Sequence, residues 1–201
     1  MTIEPDIGVR RVAPRFVVLL RGVNVGGARR VPMADFRALL EGLGYSGVRT
    51  LLNSGNAVFG STARSTSAHA ARIRKALADG LGVEVPVVVK SAAEMAAIVA
   101  ANTLADTATD ASRLLVAFAG EAAALQALGA VAPLLRETDR WQLGEHAAYL
   151  WCPDGILHSP AAAALLGRTG AAVTTRNWAT VGKLMALLRQ NADEPAPRRP
   201  A

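Results

Sequence analysis

Two short polar stretches carry the residues whose types and spacing could do chemistry. RGVNVGG, at residues 21–27, directly follows the apolar run FVVLL, and NSGN, at residues 53–56, follows a second apolar run. Guanidinium groups, amide side chains and accessible backbone N–H groups in glycine-rich turns all suit an oxyanion. The glycine spacing G-x-x-x-G-G is not the dinucleotide pattern G-x-G-x-x-G, and no Walker lysine follows. The chemistry indicated is therefore recognition of a phosphate or carboxylate.

The candidate ligand-binding residues of these stretches divide into one guanidinium and a set of turn formers with amide, hydroxyl or backbone groups. They are Arg21, Asn24, Gly26, Gly27, Asn53, Ser54 and Asn56. Arg29 and Arg30 follow closely and add positive charge. A second reading stays open, because Asn and Gly tolerate positive φ and suit turns whether or not they bind anything. In that reading Arg21 pairs with a carboxylate.

A third polar stretch, TTRNW at residues 174–178, begins the last predicted helix. Thr175 or Asn177 can cap that helix. Arg176, Asn177 and Trp178 complete the set of candidate ligand-binding residues, provided that the second half of the chain folds over the first. Trp178 can stack on a planar ligand or anchor the core.

Hydrolytic and metal chemistry find little in the sequence. Cys152 is the only cysteine, so no intrachain disulfide forms, and it precedes Pro153 at a strand end, where packing is favoured over a thiol nucleophile with His146 or His158. The histidines show no metal-ligand spacing. We expect no metal and no cofactor, the catalytic residues remain unknown, and whether the protein is an enzyme stays open.

The formal net charge of +6 belongs to the body of the chain, because the predicted flexible tails, residues 1–14 and 191–201, each sum to zero. A basic body attracts small anions or nucleic acid. Base stacking on the sheet face is disfavoured, since strand 1 is aliphatic after Phe16 and strand 3 offers only Phe59. No run reaches membrane-spanning length, and the start resembles no secretory signal. We expect a cytoplasmic protein without a membrane partner and leave its oligomeric state open.

The hydrophobic periods predict the elements that position these residues. Residues 16–20, 48–52, 57–59 and 85–90 are strand-like, and Phe36, Leu39, Leu40 and Leu43 have the spacing of an amphipathic helix. Ile73, Leu77 and Leu81 mark a second helix. The order β-α-β-β-α-β predicts an α+β, ferredoxin-like half over residues 15–90, with an antiparallel sheet and Pro86 near an edge strand.

The second half repeats this pattern in shorter, alanine-rich elements. A linking helix and loop occupy residues 91–112. A degenerate ferredoxin-like half then spans residues 113–190, with a C-terminal helix carrying Val181, Leu184, Met185 and Leu188. In this plan strands 1 and 2 are parallel, so the loops that follow them, RGVNVGG and NSGN, lie at the same edge of the sheet.

Taken together, LLRGVNVGG, VPMADFRALLEGLGY, VRTLLNSGNAVF and TTRNWATVGKL resemble the bacterial family called domain of unknown function 1697. The likeness runs from about residue 16 to residue 188. It implies a cytoplasmic bacterial protein built of ferredoxin-like halves, and it implies no activity. The family's characteristic positions are Arg21, Gly22, Asn24, Gly26, Gly27, Ser54, Gly55, Asn56, Thr175, Arg176, Asn177 and Trp178.

This chain departs from many relatives at two places. A Lys-rich stretch is replaced by residues 28–30, ARR, and a Gln before SGN is replaced by Asn53. Arg29 and Arg30 keep the positive charge and Asn53 keeps the side-chain amide, but these side chains differ in length from lysine and glutamine. The sequence therefore predicts binding of a small phosphate- or carboxylate-bearing ligand at the polar loops. The alternative is a module that binds nucleic acid without sequence specificity through its basic surface.

Overall fold

A computed structural model describes residues 13–26 and 29–190 of the chain. The first half holds four strands and two helices. They are β1 (Arg15–Leu20), α1 (Met33–Gly42), β2 (Ser46–Leu51), β3 (Asn56–Gly60), α2 (Thr66–Leu81) and β4 (Val87–Ser91). The expectations of flexible tails and of a role for Gly27 lie outside the described residues, apart from residues 13 and 14.

The second half follows after α3 (Ala92–Ala100). Its elements are β5 (Leu114–Ala119), α4 (Ala122–Gln126), β6 (Arg140–Leu143), β7 (Ala147–Trp151), α5 (Pro160–Leu166), β8 (Val173–Asn177) and α6 (Trp178–Gln190). Two 3-10 segments, Ala127–Leu134 and Ile156–His158, were not predicted. Pro133 lies inside the first of them, and because proline removes a backbone donor it disfavours a longer α-helix there.

The two sheets have the same antiparallel strand order. It is β2-β3-β1-β4 in the first half and β6-β7-β5-β8 in the second. This is the ferredoxin-like order that the sequence predicts, and it confirms an α+β fold of two such halves. β4 is an edge strand, as Pro86 indicates.

The halves share a central hydrophobic core. α3 and α6 lie between the sheets, where Met95, Ile98, Val181 and Leu184 pack against Val17 and Val116 from the two central strands. α1 and α2 cover the outer face of the first sheet, and α4, the long 3-10 segment and α5 cover the outer face of the second. Because both inner sheet faces bury apolar side chains in one core, the halves are held together by burial as well as by the polar contacts described below.

One strand end differs from its prediction in a way that matters for function. The sequence places Leu52 in strand 2, but β2 ends at Leu51 and Leu52 enters the turn with φ of 56°. Its side chain is half exposed. Hydrophobicity alone extends the strand by one residue, whereas the turn that leads to Asn56 takes Leu52 out of the sheet.

Candidate functional site

The loops after β1 and β2 lie against each other at one edge of the first sheet. The backbone N–H of Leu20 donates to the carbonyl of Gly55 at 2.8 Å, and the Asn24 side-chain amide donates to the carbonyl of Asn53 at 2.6 Å. The same Asn24 side chain exchanges two hydrogen bonds with the backbone of Val31, at 2.9 and 2.8 Å. Residues 21–26, 29–31 and 52–56 therefore form one group of packed loops, here called the loop edge.

The loop edge concentrates unusual backbone geometry. Within the described ranges, the non-glycine residues with positive φ are Asn24 at 58°, Arg29 at 52° and Leu52 at 56°, and all three belong to it. Asn adopts this conformation readily, whereas Arg and Leu do so at a cost of about 1–2 kcal/mol each. Strain of this kind clusters at sites of function, where the surrounding contacts hold it in place.

Arg21 binds backbone rather than a carboxylate. Its Nη1 donates to the carbonyl of Val173 at 2.7 Å, and its Nη2 donates to the carbonyls of Leu166 and Gly167 at 2.9 and 3.0 Å. These carbonyls belong to the end of α5 and the start of β8, so Arg21 ties the first half to the second. A cation at a helix C-terminus also stabilises the free carbonyls there.

Arg176 crosses the same boundary in the opposite direction. It is 9% exposed, and all five of its N–H groups donate hydrogen bonds to neutral acceptors. The acceptors are Asn56 Oδ1, Thr174 Oγ1 at 2.8 Å, and the carbonyls of Thr175 at 2.7 Å, Leu20 at 2.7 Å and Ser54 at 2.9 Å. Residues 20–21, 54–56 and 173–176 thus form a hydrogen-bonded contact between the halves, here called the junction.

Ser54 and Asn56 are part of the junction rather than of an open surface. Asn56 is fully buried, and its side chain donates to the carbonyl of Leu51 at 3.0 Å and to Ser54 Oγ at 2.9 Å while accepting from Arg176. Gly55 allows this packing, because a Cβ there would lie 2.6 Å from the Leu20 Cβ. The NSGN turn therefore helps to hold the two halves together, a role that its composition alone does not indicate.

Asn177 and Trp178 make their contacts with α6 and the central core. The Asn177 side chain accepts from the N–H and hydroxyl of Thr180 at 2.9 and 2.7 Å, which caps α6. Trp178 is partly buried and packs against the central core. Of the two roles open to Trp178 in the sequence, the structure shows the packing role.

The arginine side chains of the loop edge and the junction carry positive charge that no described salt bridge balances. Burial, and then the neighbouring Arg29 guanidinium, lower the pKa of Arg21 from its ordinary value. Burial lowers the pKa of Arg176 to about 10, so it stays protonated at neutral pH. In the part of the chain that the structure describes, no salt bridge includes Arg21, Arg29 or Arg176. Three guanidinium groups thus share one region without a carboxylate partner.

The remaining sequence candidates give no second site. Burial is the main cause that raises the pKa of the Cys152 thiol to about 11, so the buried thiol stays protonated and packs. Over residues 13–26 and 29–190, no three His, Cys, Asp or Glu side chains group as a metal site would require. None of the helices described is both long and apolar enough to cross a membrane.

Sequence reasoning missed the acceptors on the second half and the apolar side chains beside the loops. Leu166 and Gly167, whose carbonyls receive Arg21, carry no polar signal in the sequence. Val25, Leu52 and Leu166 are exposed large hydrophobic residues next to the polar contacts. Only the unusual position of Leu52, directly before an Asn-Ser-Gly turn, could have drawn notice.

Fold and site define an α+β protein of two ferredoxin-like halves, joined by a buried arginine and bearing a strained, cationic loop edge. The family model described as protein of unknown function, DUF1697, matches residues 14–149. The chain belongs to this family. The match includes the loop edge and ends before α5, β8 and Arg176, so the junction partners from the second half lie beyond it.

A solved structure shows the same fold. The conserved bacterial protein SP0830 from Streptococcus pneumoniae is similar, with a TM-score of 0.73 and 24% sequence identity. The similarity covers 87% of this chain and 98% of that protein's chain. No curated protein matches significantly.

Proposed function

We propose that this protein binds a small anionic ligand, carrying a phosphate or a carboxylate, at the loop edge. The observation that supports the proposal is the convergence of Arg21, Arg29 and Arg176 without a carboxylate partner among the described residues. Uncompensated positive charge near a protein surface attracts anions and raises their local concentration. An oxyanion at this surface relieves the repulsion between Arg21 and Arg29.

The three guanidinium groups have different roles in the proposed binding. Arg176 has no free N–H, so it contributes charge and holds the loops without touching the ligand. Arg21 has three of its hydrogen bonds committed to backbone carbonyls of the second half, and it acts mainly in the same way. Arg29 makes the contact, because in the described part of the chain its guanidinium has no hydrogen-bond or ion-pair partner and it lies over Gly22.

The turn residues position this contact. Asn24 holds the two loops together, and Ser54 and Asn56 fix the NSGN turn onto Arg176. The side chain of Asn53 is exposed and lies next to the Asn24 contact, so it can reach a ligand. Gly26 has φ of 62° and open space at its Cβ position, so a ligand can approach the backbone there. Asn177 and Trp178 act through α6 and the core rather than at the ligand.

Binding without a reaction is the function that this arrangement supports. A nucleophile needs an adjacent base, and the Ser54 hydroxyl instead accepts a hydrogen bond from the Asn56 amide. We infer a cytoplasmic location from the family resemblance and from the single buried cysteine, which suits a reducing compartment.

The test is a thermal-shift titration with inorganic phosphate, citrate and acetate on wild type and on Arg29→Gln. Wild type is expected to be stabilised in a saturable way, and Arg29→Gln to bind at least about tenfold more weakly, since charge-assisted hydrogen bonds are lost. The matched control is Arg64→Gln. Arg64 is also exposed, but it follows Gly60, at the opposite end of β3 from Asn56. Equal responses of Arg29→Gln and wild type would refute the assignment.

Nucleic-acid binding remains the second candidate. α2 presents Arg72, Arg74 and Lys75 on its exposed side. Two of these are engaged, since Lys75 pairs with Asp79 at 2.7 Å and Arg72 lies over the Tyr45 ring. A gel shift at low salt that falls steeply with added salt would favour this candidate over a small anion.

A further inference from the structure

Three exposed apolar residues belong to the loop edge or to the segment whose carbonyls accept from Arg21. Val25 is 69% exposed, Leu52 is 50% exposed and Leu166 is 46% exposed, and these are half of the six large hydrophobic residues left exposed in the described ranges. Each is tied to the polar contacts by a neighbouring bond. Asn24 binds the carbonyl of Asn53, which places Val25 and Leu52 beside that bond, and Arg21 binds the carbonyl of Leu166 itself.

The exposure of Leu52 runs against local chemistry. A turn position with φ of 56° favours Asn or Gly, yet a leucine stands there with half of its surface in water. Asn53 and Gly55 follow within three residues, and Asn and Gly are residue types that adopt such a conformation readily. An apolar side chain that strained backbone keeps exposed, in the same group of loops as Arg29, fits recognition better than folding.

Charge and size indicate the occupant. A second copy of the chain that used the same surface would bring two cationic loop edges together, so self-association through this surface is opposed. A stable protein partner needs about 20–30 residues on each side, whereas three exposed apolar residues and one guanidinium without a partner suit a small molecule. The positive field selects an anion, and the three side chains select a ligand with an apolar portion.

We propose that the ligand of the loop edge is an amphipathic anion, an aliphatic or aromatic carboxylate or phosphate ester, whose charged group lies at Arg29 and whose apolar group lies on Val25, Leu52 and Leu166. This rests on the proposed function and deepens it. A polyhydroxylated sugar phosphate, by contrast, has nothing to place on these side chains.

The experiment is a calorimetric series of straight-chain carboxylates, from acetate through butyrate to octanoate, with inorganic phosphate as the purely polar anion. Each methylene that is fully buried strengthens binding about fourfold, so affinity is expected to rise at least about tenfold from acetate to octanoate. Leu52→Asn removes the apolar side chain and suits the positive φ, so the variant keeps its fold. It is expected to lose most of the gain with chain length while still binding acetate and phosphate.

The controls separate the two proposals. Leu157→Asn changes a leucine that is 96% exposed and follows β7 at the opposite end of the second sheet from Val173, so it should keep the full chain-length gain. Val25→Ser is a second variant at the loop edge and should behave like Leu52→Asn. Phosphate and acetate binding without any gain toward octanoate overturns the amphipathic ligand and leaves the anion site standing. No binding of any anion overturns both proposals.

Discussion

Lys90 and Arg176 occupy the same place in the two halves. Lys90 pairs with Val17 of the central strand β1, Arg176 pairs with Val116 at the matching position of β5, and each precedes by one residue the cap of a helix that enters the shared core. Both are buried, at 8% and 9% exposure. The two halves thus place a buried cation at one and the same position of their common plan.

The two cations differ in what surrounds them. Four residues after Lys90 stands Glu94, whose carboxylate lies 3.5 Å from the ammonium group. Four residues after Arg176 stands Thr180, which is uncharged and hydrogen-bonds to Asn177. The first half therefore neutralises its cation locally, whereas the second half disperses its cation over carbonyl, hydroxyl and amide oxygens at the junction.

The loops of the two halves also differ, in their backbone conformation. All of the positive-φ non-glycine residues described belong to loops of the first half, and Arg176 of the second half holds those loops through Leu20, Ser54 and Asn56. Arg176 of the second half thus supports the loops of the first half, which carry the strained backbone. Of these two matched cations, only Lys90 has a carboxylate beside it.

The largest effect is expected from Arg176→Met. The variant removes five hydrogen bonds and takes the arginine donor away from Ser54 and Asn56, while the Leu20 carbonyl keeps its bond from the Thr174 hydroxyl at 3.3 Å. The expected loss is about 3–5 kcal/mol in the free energy of unfolding, measured by urea denaturation. Arg176→Lys keeps the charge but only three donors, and it should recover part of that loss. A near-neutral Arg176→Met would show that the junction is not held by this side chain.

Glu94→Gln tests the neutralised partner of the comparison. It leaves Lys90 without its carboxylate and weakens the capping box with Ser91, in which the Glu94 carboxylate accepts from the Ser91 N–H at 2.7 Å. The expected loss is about 1–3 kcal/mol at neutral pH. Equal stability of the variant and wild type would mean that Lys90 tolerates burial unpaired, as Arg176 does.

The lowered pKa of Glu94 determines how the stability of the protein changes with pH. Burial alone raises the pKa of this carboxyl, but the Ser91 hydrogen bonds and Lys90 outweigh it and lower the pKa in the folded state below the ordinary 4.5. The stabilisation is therefore complete above the unfolded-state pKa and is lost as pH falls through the folded-state value. Glu94→Gln should lack this part of the acid dependence, which denaturation at pH 7 and below pH 4.5 can measure.

Arg21→Gln should have a smaller effect. Its three acceptors lie at the partly exposed end of α5 and at Val173, where water can replace a lost donor. The expected destabilisation is about 1–2 kcal/mol by urea denaturation. The matched comparison is Arg37→Gln, which breaks the exposed pair with Glu41 and should cost about 0.5 kcal/mol or less. A difference too small to separate the two variants would contradict a junction role for Arg21.

Leu52→Asn should be the smallest change and the one with the opposite sign. Relief of the positive φ is expected to raise the free energy of unfolding by about 0.5–1 kcal/mol, because the side chain that is lost is half exposed. Leu157→Asn, in ordinary backbone, should leave stability nearly unchanged. A loss of stability in Leu52→Asn would indicate that the leucine side chain packs against the protein and is not available to a ligand.

The sequence predicted the plan of the molecule because periodic patterns report local burial. The β-α-β-β-α-β order, the edge position of β4 and the turn at NSGN all follow from spacing and turn chemistry. The roles of Arg21 and Arg176 could not follow in the same way, because their partners are backbone carbonyls as many as 156 residues away, which carry no residue signature. The exposure of Leu52 likewise depends on how the turn leaves the strand.

The central claim is that Arg29 contacts the ligand whereas Arg176 holds the junction together. Nitrogen-detected NMR of the arginine Nε–H groups, during titration with phosphate, tests this claim most directly. The account predicts a saturable shift at Arg29, no comparable shift at Arg64, and an Arg176 Nε–H that remains protected from exchange by its bond to Asn56. A phosphate response at Arg176 equal to that at Arg29, or none at Arg29, would contradict it.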